Sequence, residues 1–401
     1  MENNLYLKEV SLSGYKSINN VNIVFQKGLN IIIGKNAAGK TNFLKFIKKI
    51  LSFKYDNLNN FTSNLIFKNG KEVSFKTQRN IEIDELFKIN NLSSKIEYEL
   101  KVNNKILKDK KGSEETSIYE KFTQNEIIYD STLICHGIYK EYVIVDKPFS
   151  FNIDNKSKWS SDLHNIFGNS SNPYFIKCLT LDFILQIMTL NEDFDLESLK
   201  DAFRTVFRRT EKIKTTLKKY SSIEDIRFSD NFNVFITDDK ENLSVNNLFL
   251  EFKIEGNWLP FSNLSDGTKR LFYIISEVFE NDENPNIRPT NVDRYAGQTE
   301  ISRIILIEEP ELGIHPHQFH KLMEFLKIES ERKQIIVTTH SPQALDSINQ
   351  NELNRIIIAY STNSKEGTKL RHLNENELIK ANEYIKDDFL SDYWLYSDLE
   401  K

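Results

Sequence analysis

The eight residues Gly34-Lys35-Asn36-Ala37-Ala38-Gly39-Lys40-Thr41 fit the pattern G-x-x-x-x-G-K-[ST], and no other stretch restricts the possible folds as much. An apolar run of strand length, 29–33, precedes them. TNFLKFIKKIL follows, with Phe43, Phe46, Ile47 and Ile50 at helical spacing. Strand, glycine loop and helix in that order predict a phosphate-binding loop. The glycines permit the tight turn, and the loop N–H groups together with the helix N-terminus surround phosphate oxygens. Lys40 is placed to neutralise the β- and γ-phosphates, and the Thr41 hydroxyl to sit on Mg2+.

The last third of the chain alternates helix and strand: helix 267–280, strand 303–308, helix 316–329, strand 334–339, helix 342–348, strand 354–360. That order predicts an α/β fold with a mostly parallel sheet flanked by helices. Three junctions carry chemistry. The strand Arg303-Ile304-Ile305-Leu306-Ile307 ends in Glu308 and Glu309, at the edge where ligands meet a parallel sheet. One acid can hold Mg2+, and the other can orient or deprotonate an attacking water; a plain helix-capping strand end is the alternative. Leu264-Ser265-Asp266-Gly267-Thr268 opens a helix that Ser265 or Asp266 can cap, with Gly267 allowing close backbone approach. Beside a phosphate loop, this helix start becomes a second phosphate-facing element. The strand 335–339 ends at His340, placed to hydrogen-bond a γ-phosphate and sense its loss.

The rest has a different texture. Runs 5–12 and 21–25 read as strands. From 53 to 150 the pattern is hairpin-like, with Asn69-Gly70 and Asn103-Asn104 as turns and further strands at 127–134 and 142–145. This is an antiparallel β-lobe with no chemistry of its own. Residues 156–222 turn helical, with a buried helix around Ile176, Leu179, Phe183, Ile184 and Ile187 and an amphipathic one over 195–219. Segment 203–219 holds seven basic residues and one acidic residue, Glu211, within a chain of net charge −5. The net charge excludes a protein that coats nucleic acid. It leaves two readings of the stripe: a solvated helix face, or a local grip on the phosphates of DNA or RNA. Segment 281–300 is polar and reads as an exposed loop.

A length of 401 residues predicts two or three units, or one domain with large insertions. The boundaries drawn are 1–155 and 223–375 for two parts of one head, 156–222 for a helical insertion, and 376–401 for a tail. Cys135 and Cys178 form no CxxC pair, the N-terminus has no readable signal peptide, and no run reaches ~18 apolar residues. A cytoplasmic, membrane-free protein is expected. In the tail, Phe389, Tyr393, Trp394, Leu395 and Tyr396 interleave with aspartates; they either dock a partner or pack back on the head. His315, His317 and His320 raise a zinc reading, against which His315-Pro316 reads as an ordinary helix start.

IIIGKNAAGKTNFLKFI, LSDGTKRLFYI, IILIEEPELGIHP and VTTHSP resemble, in that order, the Walker A, signature, Walker B/D-loop and switch-histidine motifs of ABC-type ATPase heads. The set is most similar to RecF/SMC-like proteins and OLD-type AAA ATPases, over about 5–52 and 261–345. The resemblance implies that Gly34, Lys35, Asn36, Ala37, Ala38, Gly39, Lys40, Thr41 and Asn42 bind ATP and Mg2+, and that Lys16 reaches the nucleotide. Glu308 then takes the place of the usual Mg2+-linked Asp, Glu309 that of the catalytic Glu, and His340 that of the switch. Ser265, Asp266 and Gly267 fall in the signature that contacts the partner subunit's ATP. Such heads close as two-fold dimers around two ATPs, alone or within a higher oligomer. Asp266 and Thr268 depart from a transporter's LSGGQ, Gln78 is an unsupported glutamine-loop candidate, and Glu at 308 lengthens the arm toward the metal.

Sixty-one residues follow His340, fewer than an OLD-type nuclease domain needs, and the chain has no long coiled coil of the SMC kind. The resemblance therefore points to a stand-alone ATPase of a bacterial anti-phage system that controls a separate effector such as a nuclease. The alternatives are a RecF-like DNA-repair ATPase and an ATP-binding scaffold with negligible turnover.

Overall fold

The computed structural model describes residues 6–51, 61–68, 70–80, 95–102, 105–109, 129–134, 148–154, 196–236, 242–279, 302–361, 367–397 and 399. The expectations for 142–145, for the helix around Ile176–Ile187, for the loop 281–300 and for both cysteines lie outside them. The chain divides into two compact units, 1–135 with 300–311 and 323–401, and 136–299 with 312–322.

The first unit opens with β1 (Leu7–Tyr15), β2 (Ile18–Val24), β3 (Leu29–Ile33), α1 (Lys40–Leu51), β4 (Thr62–Phe67), β5 (Glu72–Asn80), β6 (Lys95–Val102), β7 (Lys105–Asp109) and β8 (Tyr129–Ile134). β1 and β2 bury alternate residues and join an antiparallel sheet of order β2-β1-β4-β5-β6-β7. Gly70, at φ +77°, closes the expected β4–β5 hairpin, its N–H donating to Phe67 O at 2.9 Å. β6 and β7 form the second hairpin, Val102 opposite Lys105. α1 buries Phe43, Leu44, Phe46, Ile47, Ile50 and Leu51. Phe46 stacks on Tyr15 of β1 with centroids 4.4 Å apart and meets Phe61 edge-on at 5.3 Å. Truncating such a ring to Ala costs about 3–5 kcal/mol, so the helix that follows the glycine loop is firmly seated.

The second unit contains β9 (Phe149–Asp154), α2 (Leu196–Tyr220), β10 (Asp225–Phe228), β11 (Asn233–Ile236), β12 (Asn242–Leu248), β13 (Leu250–Ile254), β14 (Asn257–Pro260) and α3 (Asp266–Val278). Its strands make two antiparallel sheets, β10-β13-β14 and β11-β12-β9. The apolar run 248–254 is split at Phe249 between these sheets. Asn247, at φ +53°, and the register shift between Val245 and Leu248 turn the chain there. On α2, Ile213, Leu217 and Tyr220 are buried, while Arg204, Arg208, Lys218 and Lys219 are exposed. Several of the stripe's cations have local partners, Lys219 over the Tyr220 ring at 4.6 Å among them. Lys212 lies over the Phe279 ring at 4.3 Å, and Lys214 pairs with Asp225 at 2.8 Å. The hydrogen bond to Asp225 is the main reason that the Lys214 pKa is raised.

The chain then returns to the first unit with β15 (Ser302–Glu308); α4 (Pro316–Glu329) begins in the second unit and ends in the first, and β16 (Gln334–Thr339), β17 (Ile356–Ser361), β18 (Thr368–His372), α5 (Glu375–Asp387) and α6 (Leu390–Tyr396) follow in the first. The second sheet of this unit has the order β18-β17-β3-β16-β15-β8, parallel throughout except for the edge pair β17–β18. Every residue of β3 and β16 is buried, as a two-sided parallel strand requires. Gln334 links the two sheets: its amide gives to Leu7 O and takes from Leu7 N–H, both at 2.8 Å. The helix expected at 342–348 is a 3-10 turn, Pro342–Ser347. Asn349 interrupts it by capping a second 3-10 turn, Gln350–Arg355, so the following strand begins at Ile356.

The tail packs back in part. Tyr393 is buried against Tyr384 at 5.2 Å, and Ser391 donates twice to Asp346, at 2.8 and 2.9 Å. Phe389, Leu395 and Tyr396 remain 66%, 65% and 80% exposed. Arg371 holds Glu377 bidentately at 2.6 and 2.9 Å. Burial raises the Glu377 pKa, but the Arg371 hydrogen bonds and the Asn374 N–H outweigh it and leave it below the usual value. A lowered folded pKa means the pair's contribution is present above the ordinary carboxylate range and is lost as pH falls through it. Between about pH 5 and pH 3, thermal stability is therefore expected to drop less steeply in Glu377→Gln than in the wild type. Parallel melting curves would count against this coupling.

Candidate nucleotide-binding site

Strand order places the three chemical junctions side by side. β3, which leads into the glycine loop, lies between β17 and β16, and β15 lies beyond β16. The loop, His340 and the Glu308–Glu309 pair all follow the carboxyl ends of these parallel strands, within about 10 Å across two strand spacings. The Gly34 N–H reaches Thr339 O at 3.4 Å, and the Glu309 N–H donates to Thr338 O at 2.8 Å, which ties the loop and the acidic pair to the end of β16.

In the loop, Lys35, Asn36 and Ala37 are exposed, Ala38 is buried, and Ala37 takes the left-handed conformation at φ +65°. Gly39 sits at φ +89°, and a Cβ there would lie 1.9 Å from Thr368 Oγ1, so only glycine fits. Lys40 is 4% exposed, and its ammonium donates to Gly34 O at 2.6 Å and Lys35 O at 2.9 Å. The backbone of the loop thus holds the cation at its centre. Thr41 is half-buried in the first turn of α1. Asn42 donates to Ser17 Oγ at 3.0 Å, and Thr368 Oγ1 donates to the same oxygen at 2.8 Å. Through Ser17 the β1–β2 turn docks onto the start of α1. Lys16 occupies that turn, exposed, at φ +50°, with its ammonium 5.4 Å from the Tyr15 ring centroid.

Glu308 is buried at the end of β15, opposite Thr338, whose Oγ1 is buried without a hydrogen-bond partner among the described residues. Hard oxygens from Thr41 and Glu308, with phosphate oxygens completing the set, suit Mg2+. Glu309 adopts φ +43°, uncommon for any residue with a side chain. His340 Nδ1 lies 3.8 Å from Glu309 Oε1 and 3.1 Å from Glu311 Oε1. Glu311 was not singled out from the sequence. Its only signal there is a third acid, one residue past Pro310.

The signature residues belong to the second unit. Ser265 caps α3, accepting from Thr268 N–H at 3.1 Å, and Ser265 and Asp266 are exposed. A Cβ on Gly267 would stand 2.3 Å from Gly313 O, so the helix start and the 312–315 turn pack backbone to backbone. In the histidine group, the His315 ring accepts from His317 N–H at 3.3 Å and its carbonyl accepts from Phe319 N–H at 2.9 Å, the work of a helix N-cap. Gln78 lies in β5 of the antiparallel sheet.

A central strand feeding a phosphate loop, acids ending β15 and a histidine ending β16 define the class: an ABC-type ATPase head. The family model described as "AAA domain, putative AbiEii toxin, Type IV TA system" matches residues 29–346, and the chain belongs to that family. It is similar to the Septu protein PtuA of Bacillus thuringiensis, 24% identical over 360 residues that cover 87% of this chain and 75% of that protein. It is also similar to the retron Vc95 probable ATPase of Vibrio cholerae, 22% identical over 394 residues, 86% of this chain and 72% of that one. Among solved structures, an SMC head bound to the C-terminal winged-helix domain of ScpA shares the fold, with a TM-score of 0.52, 15% identity, and coverage of 94% of this chain and 99% of that one. Among the described residues no helix is long and apolar enough to cross a membrane.

Proposed function

We propose that this chain hydrolyses ATP to ADP and phosphate and serves as an ATP-driven switch in an anti-phage system. The observation that carries the reading is the set of the Lys40 loop, Glu308, Glu309 and His340 at the ends of adjoining parallel strands. In this reading the loop N–H groups and Lys40 hold the phosphates, and Thr41 and Glu308 hold Mg2+, which would neutralise charge on the phosphate oxygens. Glu309 takes a proton from the attacking water, and His340 contacts the γ-phosphate. ATP closes two copies face to face, with Ser265, Asp266 and Gly267 of each on the other's nucleotide, and hydrolysis reopens them. The switch requires that ATP bind the closed state better than the open one. A mass measurement by light scattering tests it: ATP with Glu309→Gln is expected to give a dimer or a larger multiple, and ADP a smaller species. The same mass in both nucleotides would overturn the switch.

The defence setting rests on likeness to a Septu protein and a retron ATPase. A separately encoded effector such as a nuclease fits a head of this kind. The exposed Phe389, Leu395 and Tyr396 beside Asp388 and Asp392 suit a basic, apolar segment on that partner. A nucleic-acid grip on α2 is the second partner proposed, favoured by the exposure of Arg204, Arg208, Lys218 and Lys219. Reversing Arg204, Arg208 and Arg209 to Glu should weaken DNA or RNA binding at least tenfold and flatten its salt dependence. Unchanged affinity and slope would return the stripe to solvated surface.

A further inference from the structure

We infer that Glu311 is a positioning residue for His340, a role that rests on the ATPase reading given above. Its hydrogen bonds among the described residues converge on one oxygen. Oε1 accepts from Thr339 Oγ1 at 2.6 Å and from the His340 backbone N–H at 3.0 Å, and it lies 3.1 Å from His340 Nδ1. The side chain is 9% exposed, so water competes little for these bonds. The carboxylate therefore holds the end of β16 by two hydrogen bonds, to the Thr339 side chain and the His340 backbone, and its Oε1 faces the imidazole.

The chemical consequence lies in the imidazole. A carboxylate is an acceptor only, so the ring nitrogen facing it carries a proton. That 3.1 Å contact favours the Nδ1–H form and one rotation of the ring, which leaves Nε2 as the nitrogen presented to the nucleotide. Without Glu311 the neutral ring is free to exchange tautomers and to turn. Carboxylates that accept from the far ring nitrogen of a metal-bound histidine orient it in the same way, here serving a phosphate contact. Glu311 has no need to touch ATP for this. It governs which atom of His340 does.

The remaining oxygen sharpens the test. Oε2 is buried and receives no hydrogen bond among the described residues. Glu311→Gln can keep an oxygen at Oε1 for both hydrogen-bond donors and the ring nitrogen, and place its amide where Oε2 was. That variant preserves the clamp, whereas Glu311→Ala removes it.

The experiment uses the full chain labelled with 15N-histidine and long-range proton–nitrogen correlation, with the His340 signal assigned by its loss in His340→Asn. In the wild type, His340 is expected to show the Nδ1–H pattern. Glu311→Gln should retain it, and Glu311→Ala should shift it toward an exchanging mixture. Turnover in Glu311→Ala should fall about 10- to 100-fold, with Glu311→Gln recovering most of it and ATP affinity changing less than about threefold in both. A wild type with the Nε2–H pattern, or an Ala variant with unchanged tautomer, overturns the proposal. So does an Ala variant that turns over at the full rate. Should Glu311→Ala fail to fold, Thr339→Val removes one of the donors that orient the carboxylate, and an unchanged His340 signal there is again negative. The tautomer measurement needs no hydrolysis. If the wild type proves inactive, the ATPase reading fails while the positioning of His340 is still decided.

Discussion

Lys40→Ala is expected to lose ATP binding by more than 100-fold while the fold persists. The ammonium stands in the middle of the loop, held by Gly34 O and Lys35 O, and no other described cation shares that place. Charge-assisted hydrogen bonds are worth about 1.5–3 kcal/mol each, so losing two from the β- and γ-phosphates removes at least about 3 kcal/mol. Lys40→Arg should not rescue binding, because a planar guanidinium does not fit where a compact ammonium is 96% enclosed. Titration with a fluorescent ATP analogue, beside a thermal melt to show a folded protein, checks both variants. Wild-type affinity in Lys40→Ala would remove the basis for the site.

Glu309→Gln is expected to bind ATP normally and to hydrolyse it about 100- to 10,000-fold more slowly, the usual range for losing a general base. The exchange keeps shape and removes basicity, so the backbone at φ +43° is unchanged. That backbone supplies a second variant. Holding a side-chain-bearing residue in the left-handed region costs about 1–2 kcal/mol, and Glu309→Gly relieves it. Glu309→Gly should therefore be as inactive as Glu309→Gln yet melt at a higher temperature. A single-turnover assay and a melting curve on both variants test the pair. Wild-type hydrolysis in Glu309→Gln would disqualify Glu309 as the base.

The chemical junctions were legible in the sequence because each sits where a buried strand stops, and strand ends are written in adjacent residues. Leu29–Ile33 reads as a continuous apolar run, the pattern of a strand covered on both faces. β1 carries the contrasting pattern, alternately buried, and that alternation was the available sign that it belongs to an antiparallel sheet rather than beside β3. Sheet membership, however, depends on partners far along the chain. Glu311 escaped notice for the same reason: its donors stand 28 and 29 residues away and nothing local marks them. Ser17 and Thr368 are further still, 351 residues apart yet joined at the glycine loop. The break at Phe249 hinges on a single left-handed Asn, which an apolar run conceals.

That last junction has a consequence for how the molecule is made. The P-loop motif is complete once residue 41 has been synthesised, but Thr368 packs against Gly39 and bonds Ser17, whose hydroxyl in turn receives Asn42. The loop's supports therefore arrive much later in synthesis than the motif itself, Thr368 standing 351 residues beyond Ser17. Contacts of such long sequence separation close late. A nascent chain that stops short of β18 carries the motif without its brace, so the glycine loop takes its final form only once β18 has been made.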